Sequence, residues 1–88
     1  MSEAVEVEVE RLRRLDLAFQ AAECGLADAF AIQARRLEGR TLADLEVMPY
    51  GVRLLVKLQK MISYLGEVRQ SAKAVADALE GAEEARRA

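Results

Sequence analysis

Apolar residues recur at alternating steps of three and four over two long segments of this chain. This spacing places the apolar residues of each segment on one stripe of an α-helix. The stripe of the second segment consists of Leu54, Leu58, Met61, Leu65, Val68, Ala72, Val75 and Leu79. A flank beside the stripe consists of Leu55, Ile62 and Ala76. The pattern predicts a helix B over residues 52–80 that packs against other helices.

The first segment predicts a helix A over residues 8–38. Its stripe consists of Leu12, Leu15, Phe19, Ala22, Leu26 and Ala29, continued by Phe30 and Leu37. Gln33 interrupts the stripe, and two interpretations are open. A polar residue at such a position can fix the register or the partner, or the helix rotates so that Phe30, Ala34 and Leu37 face the core and Gln33 lies at its edge. We prefer the rotation. Gly25 inside the helix predicts a kink or a close backbone approach.

The connection between the two helices is expected over residues 39–51. Basic residues before Gly39 are typical of a helix end with a left-handed glycine cap. Thr41 and Asp44 match a capping box and predict a short helical turn over residues 42–47, which Pro49 and Gly51 end. The predicted fold class is therefore all-α, an antiparallel helical hairpin of two long helices with a short helical turn in the connection.

Both ends of the chain are expected to lie outside the packed helices. Residues 1–10 alternate Val and Glu, but no second strand exists to pair with them. We interpret them as a frayed first turn or a disordered acidic arm, which a partner could order. Residues 81–88 form a charged tail. The chain is one helical domain, residues 1–88.

Length and composition indicate that two helices alone do not bury this much apolar surface. The chain has 88 residues, of which 52% are apolar and 5% aromatic, so its core is small. We expect a homo-oligomer or a protein partner to complete it. The expected interface residues are Leu54, Leu55, Leu58, Met61, Ile62, Leu65, Val68, Val75, Leu79, Phe19, Phe30 and Tyr50, with Met48 also contributing apolar surface.

The residues argue against an enzyme. The chain contains no His, so a Ser, Thr or Cys nucleophile has no ordinary base, and no glycine-rich phosphate loop occurs. We predict no catalytic, cofactor or metal site. Glu6 and Glu10 share a helical face, which we interpret as a solvated acidic surface. Cys24, the one cysteine, is expected to be a small buried hydrophobe.

Charge and hydropathy limit the classes of partner and the locations that we expect for this protein. The formal net charge is −2, and Arg53, Lys57 and Lys60 form only a small basic cluster, so nucleic-acid binding is not favoured. No apolar run approaches the roughly 20 residues that span a bilayer. The acidic N-terminus does not match a cleaved signal peptide. We expect cytoplasmic synthesis, with export only by a route that uses no cleaved signal.

One stretch resembles a known family. After Pro49, the pattern comprises Leu54, Leu55, Leu58, Gln59, Ile62, Ser63, Tyr64, Arg69, Ser71 and Lys73. Residues 49–80 are thereby similar to the second helix of the small subunits that polymerise into the needle and inner rod of bacterial type III secretion systems. The resemblance implies a helical hairpin that acts by assembly. The chain differs from those subunits in lacking Trp and Asn and in its charged tail.

Three functions follow as hypotheses. The first is a non-enzymatic assembly protein, such as a subunit of a type III secretion apparatus or its small chaperone. The second is a small phage-type inhibitor or regulator that binds a target protein through a helical face, with the acidic arm mimicking a nucleic-acid backbone. The third is a regulator that binds nucleic acid weakly through Arg53, Lys57 and Lys60.

Overall fold

The computed structural model describes residues 2–41, 44 and 49–87, most of which belong to two antiparallel helices. Helix α1 runs over Glu3–Leu37 and helix α2 over Pro49–Arg87. No described residue lies in a strand. The molecule measures 65 × 16 × 15 Å, which is the shape of two helices side by side. The predicted all-α helical hairpin is confirmed.

The two helices pack through one stripe each, here called the hairpin core. Its members are buried or half-buried and recur every seven residues in two sets per helix, as in a coiled coil. On α1 they are Val5, Val9, Leu12, Asp16, Phe19, Glu23, Leu26, Phe30, Gln33 and Leu37. On α2 they are Gly51, Leu55, Leu58, Ile62, Leu65, Arg69, Ala72, Ala76, Leu79 and Glu83.

Only half of the α2 stripe that was predicted to lie in the core of the hairpin does so. The set of residues thought to be a flank lies inside, since Ala76 is 0% exposed and Leu55 and Ile62 are half-buried. Conversely, Leu54 and Met61 keep 46% and 51% of their surface exposed. The physical reason is that α2 turns its Arg69 toward acidic residues of α1, which rotates the purely apolar stripe partly out of the core.

Residues 3–10 belong to α1 and residues 81–87 belong to α2, so the disordered acidic arm and the frayed tail were wrong predictions. Ser2 caps α1: its Oγ accepts a hydrogen bond from the Val5 amide at 3.3 Å. The same hydroxyl donates to Glu83 of α2 at 3.2 Å. Val9 is 8% exposed and Glu83 is 7% exposed. The first turns of α1 and the last turns of α2 are therefore packed against each other.

Gln33 and Gly25 also differ from their predictions. Gln33 lies in the hairpin core at 9% exposure, and its Nε2 donates to the carbonyl of Gly51 at 3.2 Å. The preferred interpretation, with Gln33 at the edge, was wrong. The helix is continuous through Gly25, and a Cβ added there meets no atom within 4 Å. No close approach within the chain explains this glycine.

The α1 side of the connection follows the sequence signals, but the expected start of helix B at residue 52 was wrong, since residues 49–51 already belong to α2 and Gly51 packs in the hairpin core instead of forming a bend. Gly39 has φ +75°, the left-handed conformation expected of a glycine cap. Thr41 and Asp44 exchange hydrogen bonds between backbone amides and side-chain oxygens, both at 3.2 Å. Helix α2 begins at Pro49, where a missing amide hydrogen costs nothing. The expected helical turn over residues 42–47 and the contribution of Met48 lie outside the described residues.

The left-handed glycine cap makes a stability prediction. We expect Gly39→Ala to lower the free energy of unfolding by about 1 kcal/mol, because a Cβ is disfavoured at this φ. Urea unfolding followed by circular dichroism at one fixed protein concentration measures the change. The control is Gly81→Ala in the interior of α2, where an added Cβ meets no atom within 4 Å and alanine should raise stability. An equal gain in both variants would contradict the prediction.

Candidate interaction surface

Charged residues occupy the middle of the hairpin core. Arg69 of α2 lies between two carboxylates of α1: its Nε donates to Asp16 at 3.0 Å, and its Nη1 donates to Glu23. These hydrogen bonds, first to Glu23 and then to Asp16, raise the pKa of Arg69. The guanidinium therefore stays charged wherever the protein is folded, and one cation balances two anions across the helix pair.

A second set of ion pairs identifies the polar side of the hairpin. Arg13 donates to Asp77 at 2.8 Å and to Glu80 at 3.0 Å. Hydrogen bonds to Asp77 and then Glu80 raise the pKa of Arg13. Arg13 follows Leu12 of the hairpin core, and Glu80 follows Leu79. Residues that come directly after these core leucines thus lie on the same side of both helices.

The opposite side of the hairpin is apolar on both helices. Because the helix has 3.6 residues per turn, residues that directly precede a hairpin-core residue lie on this side of both helices. We call this surface the apolar face. On α1 it consists of Leu15, Ala18, Ala22, Gly25, Ala29 and Ile32. On α2 it consists of Tyr50, Leu54, Met61, Tyr64, Val68, Ser71, Val75, Ala78 and Ala82, with Lys57 as a charged residue in the row between Tyr50 and Tyr64.

Most of the exposed large apolar side chains of the described residues belong to this face. Seven of the eleven lie on it: Leu15, Ile32, Tyr50, Leu54, Met61, Tyr64 and Val75. Of the remaining four, Leu17, Val52 and Val56 directly follow core residues and so lie on the side of the ion pairs, and Val7 points away from the hairpin core. Met61 and Tyr64 also line an entirely apolar groove. A contiguous patch of this kind marks an interaction site, whereas scattered apolar residues do not.

The accessible surface supports the same conclusion. The chain exposes 6672 Å², whereas a compact monomer of its mass would expose about 5,100 Å². Among the described residues, no large side chain is fully buried. A two-helix layer has only one internal interface, so each helix leaves a second apolar stripe in water.

The expected interface residues divide between two surfaces. Those that lie in the hairpin core are Leu55, Leu58, Ile62, Leu65, Leu79, Phe19 and Phe30. Those on the apolar face are Tyr50, Leu54, Met61, Val68 and Val75. The predicted interface list contains no residue from the α1 half of the apolar face. Leu15, Ala22 and Ala29 of that half were expected in the stripe of helix A, and its other members were not predicted to face a partner. It also missed the charged core residues, whose signal is complementary charge at heptad positions of the two helices.

The other residues considered as candidate sites lie at the surface of the hairpin. Cys24 is exposed, so its expected burial was wrong. Glu10 pairs with Arg14 at 2.6 Å, and no group of three or more His, Cys, Asp or Glu among the described residues could hold a metal ion. The Arg53 guanidinium lies 5.8 Å from the centre of the Tyr50 ring, a cation–π contact on the surface.

No family model matches the chain, and neither the curated proteins nor the solved structures contain a significant match. No helix in the described ranges combines the length and apolarity needed to cross a bilayer.

The charged layer gives a second stability prediction. Arg69→Met should lower the melting temperature more than Arg13→Met, because it leaves Asp16 and Glu23, both core positions of α1, without their cation from α2. Adding Asp16→Leu and Glu23→Leu to Arg69→Met should restore much of the loss, since an apolar layer can replace an ionic one. Thermal unfolding by circular dichroism measures all three proteins. Equal losses for both single arginine variants would contradict the prediction.

Proposed function

We propose that this protein is a non-enzymatic assembly module, a helical hairpin whose work is to bind another protein through its apolar face. The observation that carries the proposal is the separation of the two sides of the hairpin. One side carries the ion pairs of Arg13 with Asp77 and Glu80, and the other carries most of the large exposed apolar side chains. Burial of apolar area at about 25 cal/mol per Å² would drive the association.

The composition of the face supports binding rather than catalysis. Lys57 lies in its outer row with Tyr50 and Tyr64, and Lys60 lies beyond that row, as in an interface with a polar rim. Aromatic residues and Met are the types enriched at the centre of protein interfaces. Tyr64 and Met61 supply them here.

The resemblance to needle and inner-rod subunits of type III secretion systems agrees with this proposal in architecture. Both are helical hairpins with a proline at the turn, and Pro49 is the first residue of α2. A role in a secretion apparatus, as a subunit or a small chaperone, stays a prediction. The inhibitor hypothesis loses its acidic arm, because residues 3–10 are part of α1.

The matched pair Val75→Glu and Val56→Glu tests the proposal. Val75 lies on the apolar face with 50% exposure, and Val56 lies off it on the same helix with 46% exposure. We expect a tagged wild-type chain in extract of its source cells to elute in a complex larger than the monomer. Val75→Glu should shift it to the monomer position, because a charge would be buried without a partner. Val56→Glu should leave the complex intact.

The readout is size-exclusion chromatography of the tagged protein, combined with circular dichroism to show that both variants remain helical. A wild-type chain that is folded and elutes only as a monomer would contradict the proposed function. So would a complex that Val56→Glu and Val75→Glu weaken equally.

A further inference from the structure

We propose that the apolar face binds a second copy of this chain, in an antiparallel two-fold dimer that forms a four-helix bundle. The connection end of one hairpin then lies over the terminal end of the other, with α1 facing α1 and α2 facing α2. This inference rests on the proposed function and names its partner. Three observations carry it: the exposed area, the charge distribution along the hairpin, and the position of Gly25.

The area is sufficient for a dimer. The chain exposes about 1,500 Å² more than a compact monomer of its mass. A stable interface of ordinary size buries roughly 800 Å² per partner. The apolar face extends over most of the length of both helices, so one copy of the same face can cover it. A two-fold axis is the common way in which one surface pairs with itself.

The charges favour the antiparallel orientation. The described residues of the connection end, 28–41, 44 and 49–60, contain six basic and three acidic side chains. The described residues of the terminal end that would lie opposite, 2–12 and 77–87, contain three basic and eight acidic side chains. A parallel dimer would bring two positive ends together. The antiparallel dimer places each positive end over a negative one, which lowers the electrostatic free energy of association.

Gly25 fixes where the two copies meet. A glycine inside a helix costs about 1 kcal/mol relative to alanine, and nothing in the chain lies within 4 Å of a Cβ added at this position. Gly25 lies on the apolar face with Ala18 and Ala22. A two-fold axis between Ala18 and Ala22 brings Leu15 of one copy over Gly25 of the other, where only hydrogen leaves room for the larger side chain.

The same axis pairs charges and sizes elsewhere on the face. It brings Arg14 of one copy within one helical turn of the other copy's Asp28, along the outer edge of the two α1 helices. On α2, the large residues Tyr50, Leu54, Met61 and Tyr64 lie in the N-terminal half, and the small residues Ser71, Ala78 and Ala82 lie in the C-terminal half. Antiparallel α2 helices therefore pack most of the large residues against small ones, with Val75 of each copy as the exception.

The first test compares Gly25→Ala with Gly81→Ala in the purified full chain. Both glycines are exposed, lie inside helices and have no atom within 4 Å of an added Cβ, so both substitutions favour the helix. Gly81 lies off the apolar face. Analytical ultracentrifugation should show a dimer for the wild type. Gly25→Ala should raise the dimer dissociation constant by about tenfold through overpacking against Leu15, and Gly81→Ala should leave it within about twofold of wild type.

The second test measures orientation. In a Cys24→Ser background, Glu38→Cys introduces one spin label per chain near the connection, and electron–electron double resonance reports the distance between copies. The antiparallel dimer predicts about 50 Å, from a rise of 1.5 Å per residue on either side of the axis. A parallel dimer predicts less than about 25 Å, because the two connection ends are adjacent.

Each outcome decides the inference. A dimer with the long distance and a selective effect of Gly25→Ala supports it. A short distance, or a Gly25→Ala dimer as tight as the wild type, overturns it. A chain that is monomeric when pure, but forms a complex in extract that Val75→Glu disrupts, overturns the dimer and leaves the proposed function standing. If no complex forms in either case, both fail.

Discussion

The contact of Arg69 with Asp16 and Glu23 determines how the two helices face each other. Because all three are core positions, a rotation that buried only apolar stripes would separate the cation from its carboxylates and leave them partly desolvated without a partner. The helices instead turn toward these charges. The apolar residues displaced from the core then lie together on one side, and the apolar face exists for that reason.

The elements of the fold could be predicted from the sequence, but not their rotation. Periodicity predicts two long helices, and Gly39, Thr41 and Asp44 signal the helix end and the capping box that the structure shows. Both helices, however, carry two apolar stripes that share residues such as Leu58 and Leu65. The choice between the stripes depends on which residues pair across the hairpin, and a single-helix pattern contains no such information.

The helix ends were mispredicted for a related reason. Residues 3–10 and 81–87 have weak local helix signals, and an isolated end of this composition would fray. In the hairpin each end has the other to pack against, through Val9 and Glu83 and the hydroxyl of Ser2. Tertiary contact thus extends both helices. The candidate interaction surface was predicted only on its α2 half, because on α1 it consists largely of alanine and glycine, which carry little hydropathy signal.

The pairing of the helices also orders the steps of folding. Leu37 and Gly51 meet across the connection, whereas Ser2 and Glu83 meet only after nearly the whole chain has been closed into a loop. The entropic cost of closure rises with loop length. Contacts beside the connection therefore form first, and the other pairs of core residues follow in order along the two helices. The termini close last and open first. Local opening at that end is therefore the easiest excursion from the native state.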